Sequence, residues 1–286
     1  MKLPDLILPA PAKLNLFLHI VGQRDDGYHL LETLFQFLDF GDSLSFWQTN
    51  TGKITLEPSL PGVADSDNLI VKAATALLPY RTDSNQGIHI ELVKRLPMGG
   101  GLGGGSSDAA TVLLALNLLW QLNLAPELLA DIGLSLGADV PVFVHGSAAF
   151  ARGVGEQLIP MEPEEAWYLV IHPGVEISTA EVFTHPDLPR HTSPLENTPL
   201  VWADYRNDCE NLVKSLHPQV AQALNWLLEY APSRMTGTGA CLFAVFASKE
   251  AAECALADLP HTFNGFVAQG KNRSPTHQAL LNHLAS

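Results

Sequence analysis

Between Pro97 and Asp108 the chain reads Pro-Met-Gly-Gly-Gly-Leu-Gly-Gly-Gly-Ser-Ser-Asp, with six glycines in the seven positions 99–105. Glycines lack Cβ atoms, so successive backbone N–H groups can turn toward one point and converge on an anion. Ala109 to Leu122 then has helical period and composition, which brings the partial positive charge of a helix N-terminus to the same place. Ile88 to Val93 alternates and predicts a strand before the loop. Strand, glycine loop and helix together predict a phosphate site built from Gly99, Gly100, Gly101, Leu102, Gly103, Gly104 and Gly105. Ser106 and Ser107 either cap the helix or turn their hydroxyls toward phosphate or Mg²⁺. A flexible linker is the rival reading, but it would not sit between a regular strand and an uninterrupted apolar helix. Asp108 reads as an ordinary dipole stabiliser, since it would oppose a phosphate unless aimed away.

No Gly-Lys-Ser/Thr follows the glycines, so the loop is not a Walker A motif. A Gly-x-Gly-x-x-Gly match can be drawn through it, but the parallel βαβ order of a dinucleotide site is missing, which speaks against hydride transfer. Other polar residues stand far from the loop in sequence. From Lys13 to Ile20 the chain alternates, with Leu14, Leu16, Leu18 and Ile20 on one face and Lys13, Asn15, Phe17 and His19 on the other. Taken alone, Lys13 reads as a strand-edge charge and Asp139 as a turn residue before Val140-Pro141. Tyr28 and His29 follow a glycine turn, where an aromatic beside an imidazole suits a flat ring. His19, His89, His145, His172 and the other histidines show no ligand spacing and read as structural or solvent-facing.

The elements that must position these residues mix strands and helices without strict alternation, which predicts an α+β fold. Strands are expected near Thr33 to Asp39 and Ser43 to Trp47, and a helix capped by Asp67 or Asn68 runs to about Leu78. Pro126 starts a further helix that ends near Gly137, after which short apolar strands are expected to about Ala151. Beyond Pro160 come a strand at Trp167 to Ile171, a short helix opened by the capping box Ser178-Thr179-Ala180-Glu181, and a loop from His185 to Leu200. Helices near Asn211 to Leu216, Gln219 to Tyr230 and Glu250 to Leu259 follow, with strands at Ser233 to Thr236, Cys241 to Phe246 and Gly265 to Gln269.

Length and composition bound the function. At 286 residues, 47% hydrophobic and 16% charged, the chain folds around a substantial core, and two lobes are the expected division. Sixteen basic against thirty acidic residues give a formal charge of -14, which repels nucleic acid and anionic membrane surfaces at long range. The three cysteines, Cys209, Cys241 and Cys254, lack metal-ligand spacing and suit a reducing compartment, so a cytoplasmic location is expected. The start is broken by Pro4, Pro9 and Pro11, which argues against a secretory signal. Ala109 to Leu122, the most apolar stretch, is too short to span a membrane and carries Asn117 and Gln121. Nothing in the sequence speaks to oligomeric state.

Three segments, Pro11-Ala12-Lys13-Leu14-Asn15, Leu96 to Ser107, and Met235-Thr236-Gly237-Thr238-Gly239-Ala240-Cys241, resemble the three motifs of the GHMP kinase superfamily. Their order spans nearly the whole chain. Asp26-Gly27-Tyr28-His29, Asp67-Asn68-Leu69-Ile70 and Leu136-Gly137-Ala138-Asp139-Val140-Pro141-Val142-Phe143 further resemble the branch that acts on a cytidyl-diphosphate polyol in non-mevalonate isoprenoid precursor synthesis. The resemblance implies a two-lobed α+β fold with the active site in the cleft between an ATP-binding lobe, 1–157, and a second lobe, 158–286. It implies transfer of the γ-phosphoryl group of ATP, with Mg²⁺, to the 2-hydroxyl of that small-molecule substrate.

By the same resemblance Lys13 and Asp139 are catalytic. Asp139 accepts the hydroxyl proton or orients the hydroxyl, and Lys13 holds both and stabilises developing charge. Adenine is expected between Asn68-Leu69 and Lys94, Pro97 and Met98. Tyr28 and His29 are expected to hold the cytidine, Phe183 to close its other side with Thr179 nearby, and Asn15 to take the polyol or phosphate end. Core packing on its short helix is an equal reading for Phe183, and a plain β-turn is the rival for the third motif. Mg²⁺ is expected mainly on ATP oxygens, with Ser107 as the protein ligand. Other GHMP members, such as a mevalonate or homoserine kinase or the related decarboxylase, are opposed by Tyr28-His29 and the Leu136 to Pro141 stretch. A silent nucleotide sensor is opposed by the presence of both Lys13 and Asp139.

Overall fold

The structure is a computed structural model that describes residues 2–195 and 205–285. Two long antiparallel strands organise it, β1 (Leu6–Gln23) and β2 (His29–Thr49). The sequence predicts two shorter strands where β2 runs unbroken. Gly41, which looks like a turn, is instead a crossing point: a Cβ there would lie 2.1 Å from the carbonyl oxygen of Ala10. The register shifts at that point, between Pro11 and Lys13, and again between Asn15 and Leu18. This second bulge resets the alternation. Leu14 and Leu16 pack with Phe17 in a middle cluster, whereas Leu18 and Ile20 join the core of the second lobe. The expected single apolar face over Lys13 to Ile20 is corrected accordingly, and Lys13, Asn15 and His19 are themselves buried.

β2 is shared along its length. Its far end pairs with β4 (Gly87–Val93), which carries the parallel edge strand β3 (Ile54–Glu57). Its near end pairs with β5 (Ala149–Arg152), which continues into β6 (Gln157–Pro160). In the second lobe β7 (Trp167–His172) is flanked by β9 (Leu242–Phe246), with β8 (Ser233–Met235) outside it, and by β10 (Asn264–Lys271). β10 also touches β2 at Phe37 and Leu38, so one ten-stranded sheet runs through both lobes. All but one of these pairings are antiparallel, as an α+β fold requires.

Four helices cover the first lobe: α1 (Leu69–Ala76), α2 (Gly104–Leu119), α3 (Pro126–Leu136) and α4 (Val140–His145). α2 buries Ala109, Val112, Leu113 and Leu116 among Phe37, Phe46, Ile88 and Ile90. The expected short strands after Asp139 are corrected at α4. Val140 to Val144 are all buried, and a continuous apolar run has no period that separates strand from helix. The second lobe packs α5 (Thr179–Thr184), α6 (Glu210–Leu216), α7 (Pro218–Leu228) and α8 (Lys249–Ala257) on its strands. Asn68 caps α1 and Ser178 caps α5 through their side chains, as the sequence predicts. A last helix that the sequence reading missed, α9 (Pro275–Ala285), returns to the first lobe, where Thr276 Oγ1 donates to Pro9 O at 2.8 Å. Residues 185–195 form no strand and no helix beyond the end of α5, and 196–200 of the expected loop lie outside the described residues. Among the described residues no helix is long and apolar enough to cross a membrane.

Candidate active site

A cleft of about 560 Å³ opens between the lobes. Its floor is the polar face of β1 and β2, and its sides are the glycine loop, the N-terminal end of α1, the start of α4, and α5 with the Gly237-Thr238 turn. Asn15, Asn68, Leu69, Lys94, Pro97, Met98, Gly99 to Ser106, Thr179 and Phe183 all line it beside Lys13 and Asp139. Three expected site residues do not line it: Tyr28, His29 and Ser107.

The loop bends through left-handed backbone at Gly99, Gly101 and Gly103, with φ of 63°, 73° and 72°, which L side chains avoid. At Gly101 space is also exhausted, since a Cβ would sit 2.5 Å from Thr236 O and 3.0 Å from Gly239 O. Backbone bonds tie the loop to the third motif, from Ala240 N–H to Gly99 O at 3.3 Å and from Cys241 N–H to Gly100 O at 3.1 Å. Thr236 is fully buried, and its Oγ1 accepts from the backbone N–H of Asn15 at 2.9 Å. The third motif therefore joins all three motif segments of the sequence into one site, which a plain turn would not do.

α2 begins at Gly104 with Gly103 as its cap, so neither serine caps it. Ser106 faces the cleft, and Ser107, one position on, turns into the core. The Ser107 hydroxyl, expected to reach Mg²⁺, is buried without a hydrogen-bond partner among the described residues and does not line the cleft. The nucleotide fits the residues present. Asn68 accepts the N–H of Ile70 on Oδ1, but its Nδ2 is buried without a partner among the described residues, beside Leu69 and opposite Met98. A buried donor left over is a position for a ring nitrogen.

Lys13 Nζ lies 3.2 Å from Asp139 Oδ2 and 3.2 Å from Gly101 O, and it also donates to Asn15 Oδ1. The ammonium is almost wholly buried, while the carboxylate keeps a third of its side chain exposed toward the cleft. Asn15 is held in turn by donating from Nδ2 to Thr33 Oγ1 at 2.9 Å. Cation, carboxylate and glycine loop thus meet at one point.

A second charged group fixes the loop from behind. Lys94 Nζ bridges Asp42 at 2.5 Å and Asp108 at 2.9 Å, and Asp42 Oδ1 accepts the backbone N–H groups of Arg95 and Leu96. Asp108 is aimed at Lys94 rather than left as a surface dipole stabiliser. Burial lifts its carboxyl to about 7, with Lys94 opposing the shift and Asp42 adding to it. A carboxyl raised in the folded state binds more protons folded than unfolded, so its contribution to stability is present at low pH and is lost as pH rises from about 4 to about 7. Asp108→Asn removes that slope. Thermal unfolding from pH 4 to 8 checks it: the melting temperature of the variant should gain on the parent as pH rises, and a constant difference would contradict the assignment.

At the other end of the cleft, His29 and Phe183 come together, but as a direct stack with centroids 5.0 Å apart and planes at 24°. The two rings fill the space expected for a pyrimidine, with no gap for a third ring between them. Arg190, which the sequence reading passed over, clamps the pair. Its Nε–H donates to His29 Nε2 at 3.1 Å and its Nη2 to Phe183 O at 3.1 Å. Burial, with the neighbouring guanidinium, lowers the pKa of His29, and the ring is the neutral tautomer protonated on Nδ1. Tyr28 stands well exposed at the hairpin tip.

Comparisons with known proteins agree with this geometry. The model of the GHMP kinase N-terminal domain matches residues 68–147 and that of the C-terminal domain residues 200–265. The 4-diphosphocytidyl-2-C-methyl-D-erythritol kinase of Shewanella frigidimarina is 60% identical over 268 residues, which cover 93% of this chain and 92% of that protein. Its namesake from Vibrio cholerae is 56% identical over 280 residues, 98% of this chain and 96% of that protein. The chain belongs to the 4-diphosphocytidyl-2-C-methyl-D-erythritol kinase family of GHMP kinases. A crystal structure of 4-(cytidine 5'-diphospho)-2C-methyl-D-erythritol kinase superposes with a TM-score of 0.81 at 32% identity, covering 93% of this chain and 99% of that one. A mevalonate kinase structure shares the fold at a TM-score of 0.66 and 15% identity, covering 94% of this chain and all of that one.

As a member of this family the chain is an ATP-dependent small-molecule kinase with its active site between two lobes. Beyond Arg190, the sequence reading missed Asn207, whose Nδ2 donates to Met235 O at 2.8 Å and Gly237 O at 2.7 Å and so braces the third motif. It also missed Leu18, Leu31 and Val154, which add apolar surface to the cleft. Nothing in the local sequence of these residues marks them; they acquire a role only where distant segments meet.

Proposed function

We propose that this chain transfers the γ-phosphoryl group of ATP to the 2-hydroxyl of 4-diphosphocytidyl-2-C-methyl-D-erythritol, giving the 2-phosphate and ADP in non-mevalonate isoprenoid precursor biosynthesis. The observation that carries the reading is the Lys13–Asp139 pair, 3.2 Å apart and facing the glycine loop. Asp139 accepts the proton of the substrate hydroxyl as its oxygen bonds to phosphorus and the bond to the leaving ADP oxygen breaks. Lys13, fixed by Asn15 and Gly101 O, orients that oxygen and offsets negative charge as it develops. The N–H groups of the glycine loop hold the phosphates, and Asn68, Leu69, Met98 and Pro97 take the adenine.

Phe183 offers the cytosine its cleft-facing side, the other side being filled by His29, and Asn15 and Thr179 face the polyol diphosphate. Tyr28 reaches the base only by swinging in from the exposed hairpin tip. Magnesium, when bound with the nucleotide, neutralises phosphate charge that a protein of net charge -14 would otherwise repel. Ser106 is the hydroxyl placed to meet it. We divide the chain near 157/158, supported by the separate apolar clusters of the two lobes, with α9 returning to the first. Three free cysteines, two of them buried, support a reducing cytoplasmic setting.

Purified protein given Mg-ATP and, separately, the cytidyl substrate, mevalonate and homoserine tests the proposal by ADP release. ADP is expected with the cytidyl substrate alone. Release with mevalonate or homoserine alone would move the substrate assignment, and tight ATP binding without any turnover would leave a nucleotide sensor.

A further inference from the structure

A second cavity, of about 390 Å³, shares Pro97 and Lys94 with the cleft as a dividing wall. Its size lies within the range of small-ligand sites. Both lobes line it, through Phe40 of β2, Arg95 and Leu96 after β4, His172 of β7, and Phe266 of β10. Neither Arg95 nor His172 lines the cleft.

Arg95 is fixed at its root, where the backbone N–H donates to Asp42 Oδ1 at 2.6 Å. Its guanidinium carbon lies 4.1 Å from the centre of the Phe40 ring, and Phe40 stacks on Phe266 with centroids 3.9 Å apart. One face of the guanidinium is therefore covered, yet among the described residues its N–H edges make no hydrogen bond or ion pair. Such an edge matches the paired oxygens of a carboxylate or phosphate. Lys94 is committed to Asp42 and Asp108 and adds no free charge.

His172, which lines the same cavity, accepts the N–H of Gly174 on Nδ1 at 3.3 Å, so the neutral ring carries its proton on Nε2. Burial holds the ring neutral, with Glu176 opposing only in part. That Nε2–H is buried and has no partner among the described residues. An unmet buried donor is unfavourable, and an arriving acceptor recovers that cost. Leu96, Pro97 and Phe266 add apolar surface to the same lining.

We propose that this cavity is a second ligand site, for a small organic anion that pairs a carboxylate or phosphate group with a flat apolar body. Arg95 and the Nε2–H of His172 hold the anionic group, and Leu96, Pro97 and Phe266 hold the body. The glycine loop leans on the same wall, since a Cβ at Gly100 would lie 2.8 Å from Sγ of Cys241, another lining residue.

Calorimetric titration of the full chain, saturated with a non-hydrolysable ATP analogue and the cytidyl substrate so that the cleft is filled, tests the site. The probes are phenyl phosphate, benzoate and inorganic phosphate. One saturable event per chain is expected with phenyl phosphate or benzoate, the tighter of the two identifying the anionic group, and inorganic phosphate should bind at least about 10-fold more weakly. Arg95→Gln and His172→Phe should each weaken the tighter probe by about 10-fold while ATP turnover without probe is unchanged. Absence of saturable binding by both organic probes, binding insensitive to both substitutions, or inorganic phosphate binding as tightly as phenyl phosphate would overturn the site.

Discussion

Asp139→Asn is expected to lower kcat by about 10²- to 10⁴-fold, the usual weight of a positioned proton acceptor, while the dissociation constant for ATP stays within a factor of about two. The asparagine keeps the volume and the place before α4, and Asp139 makes no side-chain cap bond there whose loss would unfold the helix. Lys13 retains Asn15 and Gly101 O, so the ammonium stays in position. What disappears is the basic oxygen 3.2 Å from Lys13 that faces the cleft. Single-turnover kinetics with the cytidyl substrate and calorimetry with ATP separate the two quantities. Normal turnover in the variant would remove Asp139 from the mechanism, and a parallel loss of ATP affinity would make its role one of shaping the nucleotide site.

The glycine loop was legible in the sequence because its signal is local: a run of glycines between an alternating strand and a mainly apolar helix. The caps at Asn68 and Ser178 were legible for the same reason, since a cap is defined within one turn. The meeting of Lys13 and Asp139 was not, because no spacing rule spans β1 and α4; only the resemblance to GHMP kinases joined them. Phase errors followed where tertiary structure overrides a period. The bulge after Asn15 sends Leu18 and Ile20 to another core, and α4 is buried on all sides, so its run of apolar residues carries no helical stripe. Asp42, Asn207 and Arg190 belong to no motif that the sequence marks. Asp42 and Asn207 gain their roles by satisfying backbone groups of segments distant in sequence, and Arg190 by reaching the His29 ring, which makes such residues invisible until the chain is folded.

Gly101→Ala tests how far the site depends on the contact between the glycine loop and the third motif. Two costs combine at this position. The φ of 73° is worth about 1–2 kcal/mol against an L side chain, and the added methyl would stand 2.5 Å from Thr236 O and 3.0 Å from Gly239 O. Both oxygens belong to backbone, which cannot rotate away as a side chain tip can. The loop must therefore back out of the second lobe and carry Gly101 O away from Lys13. ATP affinity is expected to fall by at least about 10-fold, a shift worth about 1.4 kcal/mol, and the melting temperature to fall with it. Gly27→Ala separates the two costs, because Gly27 has a φ of 88° but no atom within 4 Å of the added carbon. That variant should lose stability and keep its ATP affinity. Equal ATP affinities in the two variants would show that the loop can bind phosphate without its seat on the third motif, and that the lobes need not be joined there for the kinase to hold its nucleotide.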